Sequence, residues 1–307
     1  MDIYDIIIPP FFYNNEEKTK IFFLNLFNTN NEQAKIILEE MREKCLKLIR
    51  SESQKNEKVN KLTHKIWLTD NKNGKIPNEL MLYLLKRQYS ELNDFKHYLW
   101  VNNEEIGKEI LKLIDCPDLD IELRNINEFY NYKGRKVFDI FLKHKLFANA
   151  CDIARIQIIH KYGGLYSDFG WAMTKNIPQY INNFDIMFNG ETALCKGYIS
   201  HNVIYSFNEK HIIFDKMVSY LEDKQFLIEF IKNKNGFCII EIVSPRFIMA
   251  AIPGLCKNDK LITLVNHELT FSRQHNSSHQ NGSFGSNTIN TCMEIINNEI
   301  KEYINSL

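Results

Sequence analysis

The 307-residue chain has no excess charge of either sign, since Lys plus Arg and Asp plus Glu each number 38. That balance excludes a global pull toward nucleic acid or an anionic membrane. It also lacks any paired-cysteine pattern. Seven cysteines (Cys45, Cys116, Cys151, Cys195, Cys238, Cys256 and Cys292) are scattered, odd in number and free of C-x-x-C. A disulfide framework is thereby excluded, and reduced thiols in a cytoplasmic compartment are expected. The Asn-x-Ser sequons at Asn276 and Asn281 then carry no meaning. The start, Met1-Asp2-Ile3-Tyr4-Asp5, lacks the basic opening and apolar core of a signal peptide, and Ile6-Ile7-Ile8 runs straight into Pro9-Pro10. The longest apolar runs fall far short of the ~20 residues that span a bilayer, so no transmembrane segment is expected. There is no internal repeat and no low-complexity tract. What is present is ordinary for a globular protein, 44% hydrophobic and 25% charged.

Residues 1–60 read as an N-terminal helical segment. Ala34, Ile37, Leu38, Met41, Cys45, Leu48 and Ile49 recur at helical spacing and make one apolar stripe. Phe22, Phe23, Leu26 and Phe27 suggest a second short helix, and Ser51–Lys61 a polar linker. Such helices either cap the main core or dock to a partner or, peripherally, to a membrane surface.

From residue 61 to 307 the pattern predicts one α/β domain. Strand-like segments at Lys65–Leu68, His97–Val101, Ile121–Leu123, Leu165–Asp168 and Ile186–Phe188 alternate with helical patterns at Asn78–Tyr89, Val137–Ala150 and Asp152–Lys161. Alternation of this kind predicts a mostly parallel sheet.

The most informative stretch is Lys161-Tyr162-Gly163-Gly164-Leu165-Tyr166-Ser167-Asp168-Phe169-Gly170-Trp171. A helix runs into a glycine pair, then a short apolar strand ends in an acid. Gly163 suits a helix stop, and Gly164 a close turn into the strand. Asp168 then sits just past a strand's C-terminal end, where open α/β sheets bind ligands. A carboxylate there suits a ribose hydroxyl or a divalent cation on a diphosphate. Asp152 and Arg155, three apart, share one helix face. They are either a surface ion pair or a pair aimed into the same cleft, gripping sugar hydroxyls and a phosphate oxygen. Trp67, at a strand end, is either core or a stacking platform for a base.

Asp168-Phe169-Gly170 also spells the kinase metal motif, but no glycine-rich loop and no His-Arg-Asp loop accompany it. His267, His275 and His279 lie in a polar, Asn/Ser-rich stretch. That stretch reads as a loop whose hydroxyl, amide and backbone donors suit an anion rather than as a zinc site.

Taken together, Thr63-His64-Lys65-Ile66-Trp67-Leu68, Cys151-Asp152-Ile153-Ala154-Arg155, Tyr162 through Asp168, Asp185-Ile186, Ser244-Pro245-Arg246-Phe247 and His279 through Phe284 resemble the DXD-type sugar transferases of the GT-A (Rossmann-like) fold. The resemblance is closest to glycosyltransferase family 32, whose members are capsule and mannosyltransferase-like, and more distant to the catalytic domains of the large clostridial glucosylating toxins. It spans roughly residues 63 to 287. It implies a mostly parallel sheet with helices on both faces, and transfer of a sugar from a UDP- or GDP-sugar to a glycan or protein acceptor with retained configuration. Carried over by position, Trp67 stacks on the base, and Asp152 and Arg155 hold the donor sugar. Tyr166, Gly164, Ser283 and Phe284 line the donor site, and Asp168 meets ribose and metal. Asp185 and Glu191 face the acceptor.

Two departures stand out. The second acid of the motif falls on Gly170, and the family's Ser-Trp is Ser283-Phe284. Mg²⁺ or Mn²⁺ would then rest on Asp168 with His279, Asn287 or water. Three outcomes stay open at this level: a metal enzyme with a weakened site, a metal-independent enzyme, or a non-catalytic nucleotide-sugar or glycan binder. Surface-polysaccharide synthesis is the expected role, with glycosylation of a host protein by a secreted effector as the alternative.

Overall fold

The computed structural model describes residues 59–129, 132–182, 186–191, 198–225, 227–228, 262–265, 270–272 and 286–307. The helical patterns expected at residues 22–50 lie outside the described residues, as do His267, His275 and His279.

A seven-stranded sheet has the order β3-β2-β1-β4-β7-β6-β8. Its strands are β1 (Leu62–Trp67), β2 (Lys96–Val101), β3 (Ile121–Asn125), β4 (Gly164–Ser167), β6 (Ile186–Glu191), β7 (Tyr198–Ser206) and β8 (Ile262–Val265). β7 alone runs against its neighbours; the other pairings are parallel. A separate antiparallel pair joins β5 (Trp171–Met173) to β9 (Thr270–Ser272). The helices are α1 (Glu79–Glu91), α2 (Glu104–Ile114), α3 (Arg135–Lys143), α4 (Phe147–Tyr162), α5 (Ile177–Ile181), α6 (Ile212–Ser219) and α7 (Ser286–Ser306). No helix among the described residues is long and apolar enough to cross a membrane.

Side chains alternate between the two faces of the central strands, as the two-residue strand period requires. On β2, Tyr98 and Trp100 join a core with α3, α4, α6 and α7, whereas Leu99 and Val101 join one with α1 and α2. Helices therefore cover both faces, and the middle strands are buried even at polar residues such as Thr63, His64 and Ser167. Short polar residues start two of the helices. The Asn78 carboxamide accepts from Met81 N–H, and that of Asn103 accepts from Glu105 and Ile106 N–H.

One boundary differs from the sequence expectation of a helix over Val137–Ala150. α3 stops at Lys143, and Lys145 takes a positive φ of 60°. Leu146 N–H then donates to Phe141 C=O at 2.8 Å, and Lys145 N–H to Leu142 C=O at 3.1 Å. This pair of bonds is a Schellman ending with lysine where glycine is usual. It turns Leu146 into the core at 3% exposure and lets α4 begin five residues before the expected Asp152.

His64 on β1 is fully buried between two partners. Its Nε2 donates to Gly163 C=O at 2.9 Å, and its Nδ1 accepts from Trp100 Nε1–H at 3.2 Å. Burial lowers its pKa to about 3, and that of His97 on β2 to about 4. The unfolded chain takes up these protons near pH 6.5 and the folded chain does not. Stability is thus complete above pH 6.5 and falls as pH drops toward 4. His64 alone should remove about 2 kcal/mol between pH 7 and 5. Thermal melts across that range measure this, and His64→Gln should flatten the slope.

Candidate active site

The chain leaves β1 toward β2 and β3, then returns across β1 to lay down β4 on its other side. This reversal is a topological switch point, and the crevice beyond the C-terminal ends of β1 and β4 is the natural ligand site.

The glycine pair makes the return possible. Gly163 ends α4 with φ of 63° and its N–H on Ile159 C=O at 2.8 Å, and Gly164 has φ of 80°. A Cβ on Gly164 would lie 2.7 Å from Leu62 C=O, inside the β1–β4 contact. Only glycine meets both demands. β4 then delivers Asp168 one residue past its end, and Asp168 N–H donates to Asn202 C=O at 2.8 Å.

Three of the predicted side chains meet here. An Arg155 Nη2 lies 2.7 Å from the Asp152 carboxylate and 3.2 Å from that of Asp168. The Arg155 Nε–H donates to Cys151 C=O at 3.2 Å, and its guanidinium stacks on the Tyr166 ring at 4.9 Å. The Tyr166 hydroxyl donates to the Asp168 carboxylate. Exposure rises outward, from 5% for the Arg155 side chain through 16% for Asp152 to 36% for Asp168. The guanidinium is thus the innermost of the three groups and the Asp168 carboxylate the most exposed.

Burial works against the Arg155 charge, but Asp168, Tyr166 and Asp152 outweigh it and raise its pKa, so the guanidinium stays charged. Burial pushes the Asp152 carboxyl up to about 7, Arg155 opposes that rise and Asp168 adds to it. Burial likewise raises Tyr166 and Cys151, keeping the phenol a proton donor and the thiol protonated.

Trp67 closes β1 with its ring on Phe169, centroids 5.1 Å apart, and its indole N–H on Lys75 C=O at 2.7 Å. A cavity of about 380 Å³, lined by residues including Thr69, Asn71, Asn102 and Phe147, opens at the ends of β1 and β2. Asn102 shapes it by bonding Thr69 N–H at 2.9 Å and Thr69 C=O at 2.7 Å.

Sequence reasoning missed Asn102, and it missed two buried polar residues below the crevice. Lys65 on β1 donates to Asp168 C=O at 2.9 Å and Trp171 C=O at 2.5 Å. Burial lowers its pKa to about 7, against the pull of Asp168. Gln88 on α1 accepts from Ser167 Oγ–H at 2.9 Å and Met173 N–H at 3.2 Å. A lysine inside a strand expected in the central sheet was a readable signal. Gln88 gave none.

Of the other predicted residues, Asp185, His279, Ser283 and Phe284 lie outside the described residues. Glu191 ends β6 and Asn287 sits in the first turn of α7. Divalent cations of this kind ask for about six oxygen ligands. Among the described residues there is no group of three or more His, Cys, Asp or Glu able to hold one. Among the described residues, a Cβ at Gly170 would meet nothing within 4 Å. The described residues therefore do not assemble a metal shell.

Residues 25–186 match the family described as "Glycosyltransferase sugar-binding region containing DXD motif". The chain belongs to this family and is a glycosyltransferase. The match begins inside the N-terminal segment and ends at the start of β6.

Among solved structures, the catalytic domain of alpha-toxin from Clostridium novyi shares the fold. Its TM-score is 0.53 at 13% identity, over 93% of this chain and 91% of that one. The mixed α/β sheet with helices on both faces is thus of the GT-A type. The PaToxG glycosyltransferase aligns with a TM-score of 0.48 at 15% identity, over 63% of this chain and 68% of that one. The glycosyltransferase domain of the YGT toxin gives 0.41 at 8%, over 66% and 78%. A search of curated protein sequences finds no match.

Proposed function

We propose that the chain transfers a hexosyl group from a UDP- or GDP-sugar to an acceptor hydroxyl, with retained configuration. The carrying observation is the junction of Arg155 with both Asp152 and Asp168 at the β1–β4 crevice. A polyhydroxylated ligand needs fixed acceptors, and a departing diphosphate needs fixed positive charge. This cluster offers both in one place. Asp152 takes sugar hydroxyls, Asp168 a ribose hydroxyl, and Arg155 a phosphate oxygen. The base lies over Trp67 and into the cavity bordered by Asn102.

In the reaction the bond from C1 to the diphosphate oxygen breaks, and its electron pair leaves with the nucleotide. The acceptor oxygen bonds to C1 on the face that the diphosphate leaves, and its proton passes to the departing diphosphate oxygen. Because Arg155 is already held by two carboxylates, little reorganisation accompanies the charge that develops on the diphosphate. Ser283 and Phe284 belong to the donor site, and Asp185 and Glu191 to the acceptor site. Asp168, His279 and Asn287 would be the residues to hold a divalent cation, which would supply positive charge to the diphosphate. The acceptor is a glycan of a surface polysaccharide, made in the cytoplasm.

A second reading, a non-catalytic nucleotide-sugar binder, is favoured by one observation, the bare Gly170 position. Nucleotide release from a panel of UDP- and GDP-sugars, with and without Mn²⁺, separates the two. Release with at least one donor, abolished by Asp168→Asn, is the expected result. Tight binding of UDP or GDP without release from any donor would overturn catalysis.

A further inference from the structure

The turn Asp168-Phe169-Gly170-Trp171 carries the motif, and its own chemistry leaves it loose. Within it Trp171 N–H bonds Asp168 C=O at 2.9 Å, its flanks are tied by Asp168 N–H to Asn202 C=O and by the β5–β9 pairing, and among the described residues a Cβ on Gly170 in its middle would meet nothing within 4 Å. Glycine carries the largest backbone entropy of any residue. Two buried side chains nevertheless fix the turn from below. Lys65 reaches from β1 to the carbonyls at both of its ends, Asp168 and Trp171. Gln88 reaches from α1 to the residues just outside it, Ser167 and Met173.

Neither residue is there for packing. A fully buried ammonium is expensive, and an apolar side chain of equal length would fill the same space at less cost. Both acceptors recorded for the Lys65 ammonium lie in this one turn. Gln88 Nε2 is buried with no hydrogen-bond partner among the described residues, so its amide is placed for what the Oε1 holds.

Resting on the donor-site reading above, we infer that Lys65 and Gln88 are positioning residues, a buried bracket that presets the Asp168–Trp171 turn for the nucleoside diphosphate. The bracket fixes where the Asp168 carboxylate and the turn's exposed backbone meet the ligand before it arrives. Preorganisation of this kind improves binding without any new contact.

The test uses the full chain as Lys65→Met, which keeps the volume and removes the donors, and Lys65→Arg, which keeps a charge and a fork of donors. Two measurements are made: hydrogen exchange at the Asp168 and Trp171 amides, and calorimetry with UDP and with GDP, each with Mn²⁺. Charge-assisted hydrogen bonds are worth enough that Lys65→Met should weaken the better nucleotide ~10–100-fold. The two amides should exchange ~10-fold faster while those of β2 keep their protection. Lys65→Arg should restore both to within about threefold. Gln88→Met should show the same pattern in weaker form, and it carries the test if Lys65→Met does not fold.

Unchanged exchange at the turn, or exchange that rises equally in β2, would overturn the bracket. Unchanged affinity in a Lys65→Met chain with a loosened turn would do so too. A native chain that binds neither UDP nor GDP sinks the nucleotide reading instead, and the exchange measurement then still decides whether Lys65 orders the turn.

Discussion

Arg155→Met should lower nucleotide release by about 10²–10³-fold, the usual effect of removing one fixed donor to developing charge. The same change should destabilise the fold. Arg155 is the shared counter-charge of Asp152 and Asp168, at 2.7 and 3.2 Å, and its removal leaves two acids facing one another. Breaking a buried pair costs ~3–5 kcal/mol, and the partial exposure of Asp168 puts this case at the lower end. A second change separates the two effects. Adding Asp152→Asn to Arg155→Met removes one stranded charge, so the melting temperature should recover in part while turnover stays lost. If turnover recovers with stability, Arg155 is a scaffold and the proposed handling of the diphosphate is wrong. Lysine should not substitute well, because one ammonium cannot reproduce the fork that spans both acids and the Cys151 carbonyl.

Gly170→Asp should have the largest effect in the opposite direction. The position has no positive φ and, among the described residues, no neighbour within 4 Å of a new Cβ, so the side chain enters without strain. It would place a second carboxylate two residues from Asp168 on the turn that Lys65 holds. Mn²⁺ affinity should rise by about tenfold or more, and Mn²⁺-supported release by a comparable factor of ~10–10². Gly170→Ala is the control and should do neither. An aspartate that changes neither Mn²⁺ binding nor rate would mean that the cation, if used, is held away from this turn.

The central sheet was legible in the sequence because its strands are short apolar runs between helical patterns. The site's three charged residues were legible because two lie one helical turn apart and the third ends a strand after a glycine pair. The missed features share a physical reason. β7 continues the sheet in the opposite direction, and residue pattern does not encode strand direction. The break between α3 and α4 relies on Lys145 in a conformation that glycine would have announced. Lys65 and Gln88 act through contacts 79 to 106 residues away in sequence, beyond any local period. Helical spacing left Arg155 and Asp152 as either a surface ion pair or a pair aimed into one cleft. The burial of Arg155 follows from Tyr166 and Asp168 arriving beneath it, which is a property of the sheet order.

The strand order also dictates when this enzyme can first work. β1 and β4 lie side by side, yet Leu165 on β4 pairs with Thr63 on β1 across about a hundred intervening residues. Such long-range joins form late and slowly in a folding chain. An emerging polypeptide that has finished β1 to β3 already owns Trp67 and Lys65 but has nothing for them to face. Competence should therefore arrive in a single step, when α4 and β4 close onto the finished half, and no shorter fragment ending before Asp168 should show partial activity.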